Sequence, residues 1–279
     1  MFGILFLLFC DDINQTMNDL NLTVNNEEPS KDRRLPDRIF KLFRGQNEQE
    51  VINILKRAQD KEDEIWLHID KRNKNKNTTM TSKIQLQMYG EFKRVFESYL
   101  FKEFSTQAKS VNNALLILGE SSFGVLFLNT KNEVLGVQNY YGTWSAPKGH
   151  LKIKNDGTLE IPWETLLREL FEELSIKLKR SKSEKTINTE NIGHFLALNK
   201  DNFLQCRLES RPGTGDGLRL IGLLIVHVDE KIWKFSLKDN KENKAIKWLN
   251  IDDIIRNKPE IGHDMYYTLR PFVRYLKDH

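Results

Sequence analysis

The chain has 279 residues, with 43 Lys and Arg against 39 Asp and Glu, a formal charge of +4, 39 % hydrophobic residues and 29 % charged ones. That length can bury a core of ordinary size and add a small helical module, the composition is that of a hydrated globular chain, and no run approaches the ~20 apolar residues of a membrane span. Two cysteines, Cys10 and Cys206, leave no basis for a disulfide framework and point to a reducing cytoplasmic setting.

In chain order, the opening FGILFLLFC has the length of a signal-peptide core, but no Lys or Arg precedes it and two Asp follow, so secretion is not expected. Residues 1–34 read as a disordered tail. Helices are expected near Asp37–Phe43, Glu48–Ile69 and Gln85–Phe104, the second burying Val51, Ile52, Leu55, Ala58, Ile65 and Ile69 at helical spacing. The basic runs KRNKNKNTTMTSK (Lys71–Lys83) and KLKRSKSEK (Lys177–Lys185) suit RNA-facing patches, although the Asn and Thr content of the first marks a linker.

From Asn113 the period changes. NALLILG, FGVLFLN and EVLGVQN read as short strands broken by turns, as do NIGHFLALN, FLQCRLES and LRLIGLLIVHV further on. Gly213, Gly215 and Gly217 lie between two strands with no helix following, which suits a hairpin turn rather than a phosphate loop. The expected organisation is a tail (1–34), a small all-α domain (35–108), and a mixed α+β domain (109–279) closed by a basic helix.

The most informative segment is RELFEEL, Arg168–Leu174, with Glu160 eight residues before Arg168. At about 100° per residue a helix brings Glu169, Glu172 and Glu173 onto one face, while Leu166, Leu167, Leu170 and Leu174 form an apolar stripe. Like charges so spaced destabilise an isolated helix by roughly 0.2–0.5 kcal/mol per pair, so something must collect them. A hard divalent cation with oxygen ligands would do so, and magnesium suits the acids better than zinc. The alternative is a solvated face with Arg168 paired to Glu172.

These residues resemble the Nudix hydrolase box, G-x5-E-x7-R-E-U-x-E-E-x-G-U with U aliphatic, from Glu160 through Arg168, Glu169, Leu170, Glu172, Glu173 and Ile176. Two glycine positions depart: Lys154 and Ser175 stand where the pattern has Gly, and Gly149 lies five residues further upstream, so a longer loop, KIKNDGTL, is expected. The resemblance implies a Nudix fold, a mixed sheet packed by helices, and Mg2+ or Mn2+ held by Glu169, Glu172 and Glu173.

TWSAPKGH, Thr143–His150, is similar to the entry of the catalytic subunit of the messenger RNA decapping enzyme, and LPDRIFKLF, EIWLHID and YYTLRPFVRYLKDH resemble its helical regulatory domain and basic closing helix. That likeness runs from about Leu35 to His279. It implies metal-dependent cleavage of the 5′ cap, releasing 7-methyl-GDP and 5′-monophosphate RNA. Lys148 would meet phosphate and Glu242, six residues before Trp248, would act as base. Trp66 and Asp70 would grip the methylated guanine, with Tyr266 or Tyr267 on its other face. His150 would make a pH-dependent phosphate contact, and Arg270 and Arg274 would lie along the RNA. The resemblance further implies a hinge near Gln107–Asn112, capped RNA as partner, a decapping activator docked on the helical domain, and residence in the cytoplasm or its RNA granules. Two other readings stay open: a Nudix hydrolase of small nucleoside polyphosphates, and a catalytically weak RNA-binding paralogue.

Overall fold

In a computed structural model of the chain, the described residues are 23–25, 33–74, 82–139, 143–180, 183–186, 189–208, 219–238, 243–256, 258, 261, 265, 269, 272 and 276. The helical part comprises α1 (Asp37–Phe40), α2 (Glu48–Lys74), α3 (Ser82–Phe104), a 3-10 turn (Ser105–Gln107) and α4 (Ala108–Leu118). On α2 the expected stripe is realised, with Val51, Leu55, Ala58, Ile65 and Ile69 buried and Ile52 packed beside them. On α3 the rings of Phe92 and Phe96 lie 5.5 Å apart between Met88 and Leu100, a four-residue repeat that keeps one side of the helix inward.

Two runs expected as strands are helices. NALLILG ends α4, whose Ala108, Val111, Ala114 and Leu118 are buried at three- and four-residue spacing against α2 and α3. NIGHFLALN lies largely in α6 (Thr189–Ala197), which buries Ile192 and Leu196. A short apolar run has no period long enough to separate the two states, and here the neighbouring core selects the helix. The helical core therefore extends through Leu118 rather than ending at 108. The hinge expected near Gln107–Asn112 coincides instead with the start of α4, where Ala108 and Val111 are buried.

The remaining elements are β1 (Thr23–Asn25), β2 (Ser121–Leu128), β3 (Glu133–Asn139), β4 (Trp144–Ser145), β5 (Lys148–His150), α5 (Pro162–Glu173), β6 (Leu174–Arg180), β7 (Ser183–Thr186), β8 (Phe203–Leu208), β9 (Arg219–His227), β10 (Trp233–Leu237), β11 (Asn243–Asn250) and α7 (Ile251–Ile255). The larger sheet has the order β1–β8–β9–β2–β3–β11, with β4 on β3 and β5 on β2; β2 and β9 run parallel and the other pairs antiparallel. A second sheet runs β10–β6–β7 and carries the described residues of the basic run, 177–180 and 183–185. Within the segment read as a disordered tail, β1 pairs antiparallel with β8, and Arg33 and Arg34 are placed by ion pairs.

Central strands β2 and β9 are covered on both faces, which is why they read as unbroken apolar runs. One face carries Phe123, Val125, Phe127, Leu224 and Val226 against α5 and α6. The other carries Leu126, Leu128, Leu223 and Ile225, with Cys206 of β8 beside them, against α7 and the helical positions Met265, Leu269, Phe272 and Leu276, spaced four, three and four apart. Together with the preceding helices this is the α+β architecture anticipated from the sequence. No helix among the described residues is long and apolar enough to cross a membrane.

Cys206 faces the interior, and burial pushes its thiol up to about 12. Nucleophilic reaction requires the thiolate. In a Cys10→Ser background, the native protein should therefore give negligible labelling by a disulfide thiol reagent at pH 8 and one equivalent after denaturation. Rapid labelling of the native protein would contradict the burial of Cys206.

Candidate active site on the acid helix

Helix α5 starts after Ile161, whose backbone is extended, with Pro162 at its first position, where a missing N–H costs nothing. Ile161 offers no side-chain acceptor, but Glu164 reaches back to take the Ile161 N–H at 3.0 Å. Leu166, Leu170 and the adjoining Leu174 are fully buried against the sheet, each contributing roughly 1.5–3 kcal/mol. The helix is thus clamped by its apolar stripe, with the acids turned to its other flank.

That flank is organised by Arg168. Its Nε and Nη2 donate to Glu160 at 2.7 and 2.9 Å, its Nη1 to Glu169 at 2.5 Å and to Glu172 at 3.1 Å, and its Nη2 also to the His150 carbonyl at 2.7 Å. Glu160 is 6 % exposed and Glu169 7 %. Glu160 takes two further bonds, from the Thr165 hydroxyl at 2.9 Å and the Lys152 N–H at 3.1 Å. Burial opposes the Arg168 charge, but the Glu160 hydrogen bond and the charges of Glu169, Glu160 and Glu172 outweigh it and hold its pKa above the ordinary arginine value.

Strand β5 lies alongside. A Cβ on Gly149 would meet Glu169 Oε1 at 1.9 Å and its Cδ at 2.0 Å, so only glycine lets this backbone sit against the carboxylate. Gly124, opposite Lys148 in the β2–β5 register, plays a similar part: a Cβ there would lie 2.0 Å from the Pro147 carbonyl. Lys148 is half-buried on this strand, and exposed His150 places Nδ1 3.1 Å from the Ser121 carbonyl.

The helix exit contains no left-handed residue. Leu174 is extended (φ −120°, ψ 143°) and α5 passes directly into β6. Its last carbonyls are met by Lys238, whose N–H donates to Glu173 O at 2.9 Å and whose ammonium donates to Phe171 O at 2.8 Å. A backbone and a cation from β10's end thus serve the helix C-terminus where the box pattern has glycine and this chain has Ser175.

Gly149 and Glu160 are separated by a hairpin. Ile153 bridges Leu159, and Lys154 N–H donates to Thr158 O at 2.8 Å around Gly157, whose φ is +81°. The hairpin rests on α2: Lys152 Nζ meets Asp63 at 2.9 Å, Ile153 N–H meets Gln59 at 3.0 Å, and Ile153 and Leu159 are buried with the helical core. Burial works against the Lys152 ammonium, but Asp63 outweighs it and holds its pKa above the ordinary lysine value. Arg33 adds a two-pronged bond to Glu164 at 2.7 and 2.9 Å and takes the Leu159 N–H on its carbonyl.

Of the residues singled out from sequence, the structure brings together Glu169, Glu172, Glu173, Lys148 and His150 on α5 and β5. Trp66 lies in the helical unit, half-buried and stacked on Phe92 at 4.3 Å and 11°. Asp70, in α2, has no described side chain, and Glu242, Tyr266, Tyr267, Arg270 and Arg274 lie outside the described residues, as does the Gly213–Gly217 loop. Sequence reading missed Lys238, Lys152, Asp63, Gln59 and Thr165. Of these, only Thr165, one turn after Glu160, stood close enough in the chain to be suspected.

The donors on α5 are carboxylate oxygens alone, which suits a hard divalent cation in kind. In arrangement, no three His, Cys, Asp or Glu side chains among the described residues converge to hold a metal ion. Arg168 already engages Glu169 and Glu172. Its guanidinium bridges Glu160, Glu169 and Glu172, so a cation shared by Glu169, Glu172 and Glu173 would compete with it.

A helix bearing these acids and their arginine, packed on a mixed sheet whose strand β5 meets Glu169 at Gly149, is the arrangement the box resemblance implies for a pyrophosphohydrolase. A family model described as NUDIX domain matches residues 120–271, more than half of the chain, and the chain belongs to the Nudix family of hydrolases. No curated protein matches it. Solved structures similar to it include the MutT protein of Methanosarcina mazei (14 % identity over 57 % of this chain and 92 % of that one, TM-score 0.33). The Nudix domain of Shewanella oneidensis NrtR, complexed with ADP ribose, is 14 % identical over 57 % of this chain and 86 % of that one, at a TM-score of 0.34. The bifunctional NMN adenylyltransferase/ADP ribose pyrophosphatase of Francisella tularensis, complexed with AMP and a Mn ion, is 18 % identical (TM-score 0.39). The likeness to it covers 64 % of this chain and about half, 51 %, of that protein.

Gly149→Ala should force the Glu169 carboxylate aside: we expect a loss of about 1–3 kcal/mol in chemical denaturation, as for overpacking, and turnover reduced far more than that loss of stability explains. An alanine variant with native stability and turnover would show that the close approach is dispensable.

Glu164 gives a pH signature. Burial would raise its pKa, but the bonds from Arg33, Ile161 N–H and Lys154 outweigh that and lower it below its ordinary 4.5. Its contribution is therefore present above about pH 4.5 and lost as pH falls through the folded-state value. The stability gap between wild type and Glu164→Gln should be constant from pH 6 to 8 and shrink below about pH 4.5; a gap that widens with acid would contradict the assignment.

Proposed function

We propose that the chain hydrolyses the pyrophosphate linkage of small nucleoside polyphosphates. The observation that supports it is the α5 carboxylate cluster pressed against Gly149, with Lys148 on the same strand suited to meeting phosphate oxygens. Glu169, Glu172 and Glu173 would hold the divalent cation, Mg2+ or Mn2+, once Arg168 gives up the Glu169 and Glu172 oxygens that it bonds, and the cation would supply positive charge to the bridging phosphates. Water is the nucleophile. Arg168 orients Glu160, Glu169 and Glu172 and works through them, and Glu242 is the candidate base.

Cleavage of the 5′ cap of RNA is the second reading, favoured by the helical unit packed against the box hairpin. Its weak point is Trp66. Phe92 covers one face of the indole, which packs on the helical core, so at most one face could serve a methylated guanine. Under this reading Asp70, Tyr266, Tyr267, Arg270 and Arg274 complete the cap and RNA contacts, with capped RNA as the substrate, an activator protein on the helical unit, and the cytoplasm or its RNA granules as the location.

One turnover panel separates the readings: a dinucleoside polyphosphate, free cap analogue and capped RNA, each with Mg2+ and with Mn2+. Dinucleoside polyphosphate should be cleaved at least as fast as capped RNA. Glu173→Gln, which removes charge and little volume, should abolish turnover by at least about 100-fold with the fold intact. Capped RNA as the only substrate, with Trp66→Ala erasing discrimination for the methyl group, would replace the first reading by the second.

A further inference from the structure

The hairpin between Gly149 and Glu160 is longer than the box pattern by five residues, and those residues form its contact with the helical unit. Lys152 stands at the join. Its side chain reaches Asp63 of α2 at 2.9 Å, while its backbone exchanges two bonds with Glu160, N–H to Oε2 at 3.1 Å and carbonyl to N–H at 2.9 Å. The next residue, Ile153, donates its N–H to Gln59 of α2 at 3.0 Å and buries its side chain in the helical core with Leu159. At the turn, a Cβ on Gly157 would come within 3.3 Å of Ile52, so the tip too is fitted to α2. From Glu160 the path continues without a gap: Glu160 holds Arg168 by two bonds, and Arg168 holds Glu169 and Glu172.

We propose that this hairpin is a strap through which the helical unit sets the acid helix, with Asp63 and Gln59 of α2 as positioning residues for Glu160 and Arg168. Neither touches the acids directly. They fix the strand from which Glu160 hangs, and a displacement of α2 is transmitted along main-chain and charge-assisted bonds that have little slack. The strap gives the helical unit a regulatory hold on the hydrolase site and rests on the proposed function only for its effect on turnover. Its effect on Arg168 can be read without any substrate.

The measurement is hydrogen exchange at the Arg168 Nε–H by nitrogen-15 NMR, alongside melting temperature and steady-state kinetics on the dinucleoside polyphosphate. Asp63→Ala and Lys152→Ala should each speed that exchange by about 10-fold or more while the melting temperature moves little, and the double variant should be no worse than either single, because both remove one contact. Asp63→Glu should keep exchange within about 3-fold of wild type. kcat should fall with KM nearly constant. Should Asp63→Ala unfold, Asp63→Asn and Gln59→Leu make the same comparison. Exchange unchanged in the folded single variants, or additive in the double, overturns the strap. Absence of turnover in the wild type would overturn the hydrolase reading instead, leaving the exchange result to judge the strap.

Discussion

A single guanidinium organises the site. Glu160, Glu169 and Glu172 approach one another on or beside one helix, two of them almost fully buried, and Arg168 lies among them with four donated bonds to carboxylates and one to a backbone carbonyl. Buried charge costs several kcal/mol per ion unless paired and hydrogen-bonded, and removing one partner of such a set typically costs about 3–5 kcal/mol because the rest stay buried. Because the arginine also donates to the His150 carbonyl, strand β5, the box hairpin and α5 form one unit that does not separate without exposing charge. The same contact sets the terms for metal binding, since Arg168 and a cation want the same oxygens.

The two box glycines that this chain lacks show how a local requirement can be met from a distance. A left-handed residue at a helix end chiefly satisfies terminal carbonyls and turns the chain. Here the chain does not turn: α5 enters β6 directly, and Lys238 supplies the donors. At the other end, the close approach falls to Gly149 and the turn to Gly157, and the intervening residues become a hairpin with its own core contacts. Neither departure removes a carboxylate.

The helical unit is bound to the Nudix unit by specific polar contacts as well as by packing. Arg33 with Glu164, Lys152 with Asp63, and the Ile153 N–H with Gln59 all converge on residues 152–164. These contacts reach the box itself, and the ion pair of Arg38 with Glu120 adds a second join at the start of β2. Trp66 belongs to this unit's interior through Phe92, so its ring cannot be assigned to a ligand from sequence spacing alone.

Where the signal was local, the sequence alone was sufficient. Glu169, Glu172, Glu173, Arg168 and the apolar stripe of α5 lie on one short helix, so the helical period alone brings them together, and β2 and β9 were legible because both-sided burial demands continuous apolar runs. Helix α2 announced itself over many turns. Runs of seven and nine residues, NALLILG and NIGHFLALN, did not, since so short an apolar stretch suits helix and strand equally until neighbours choose. Only the tertiary structure decided what surrounds the acids. Lys238 is 65 residues beyond Glu173, and Asp63 is 89 residues before Lys152. Nothing in local pattern or charge separates them from the many other lysines and acids of the chain, because what distinguishes them is where the fold brings them and not which residues adjoin them.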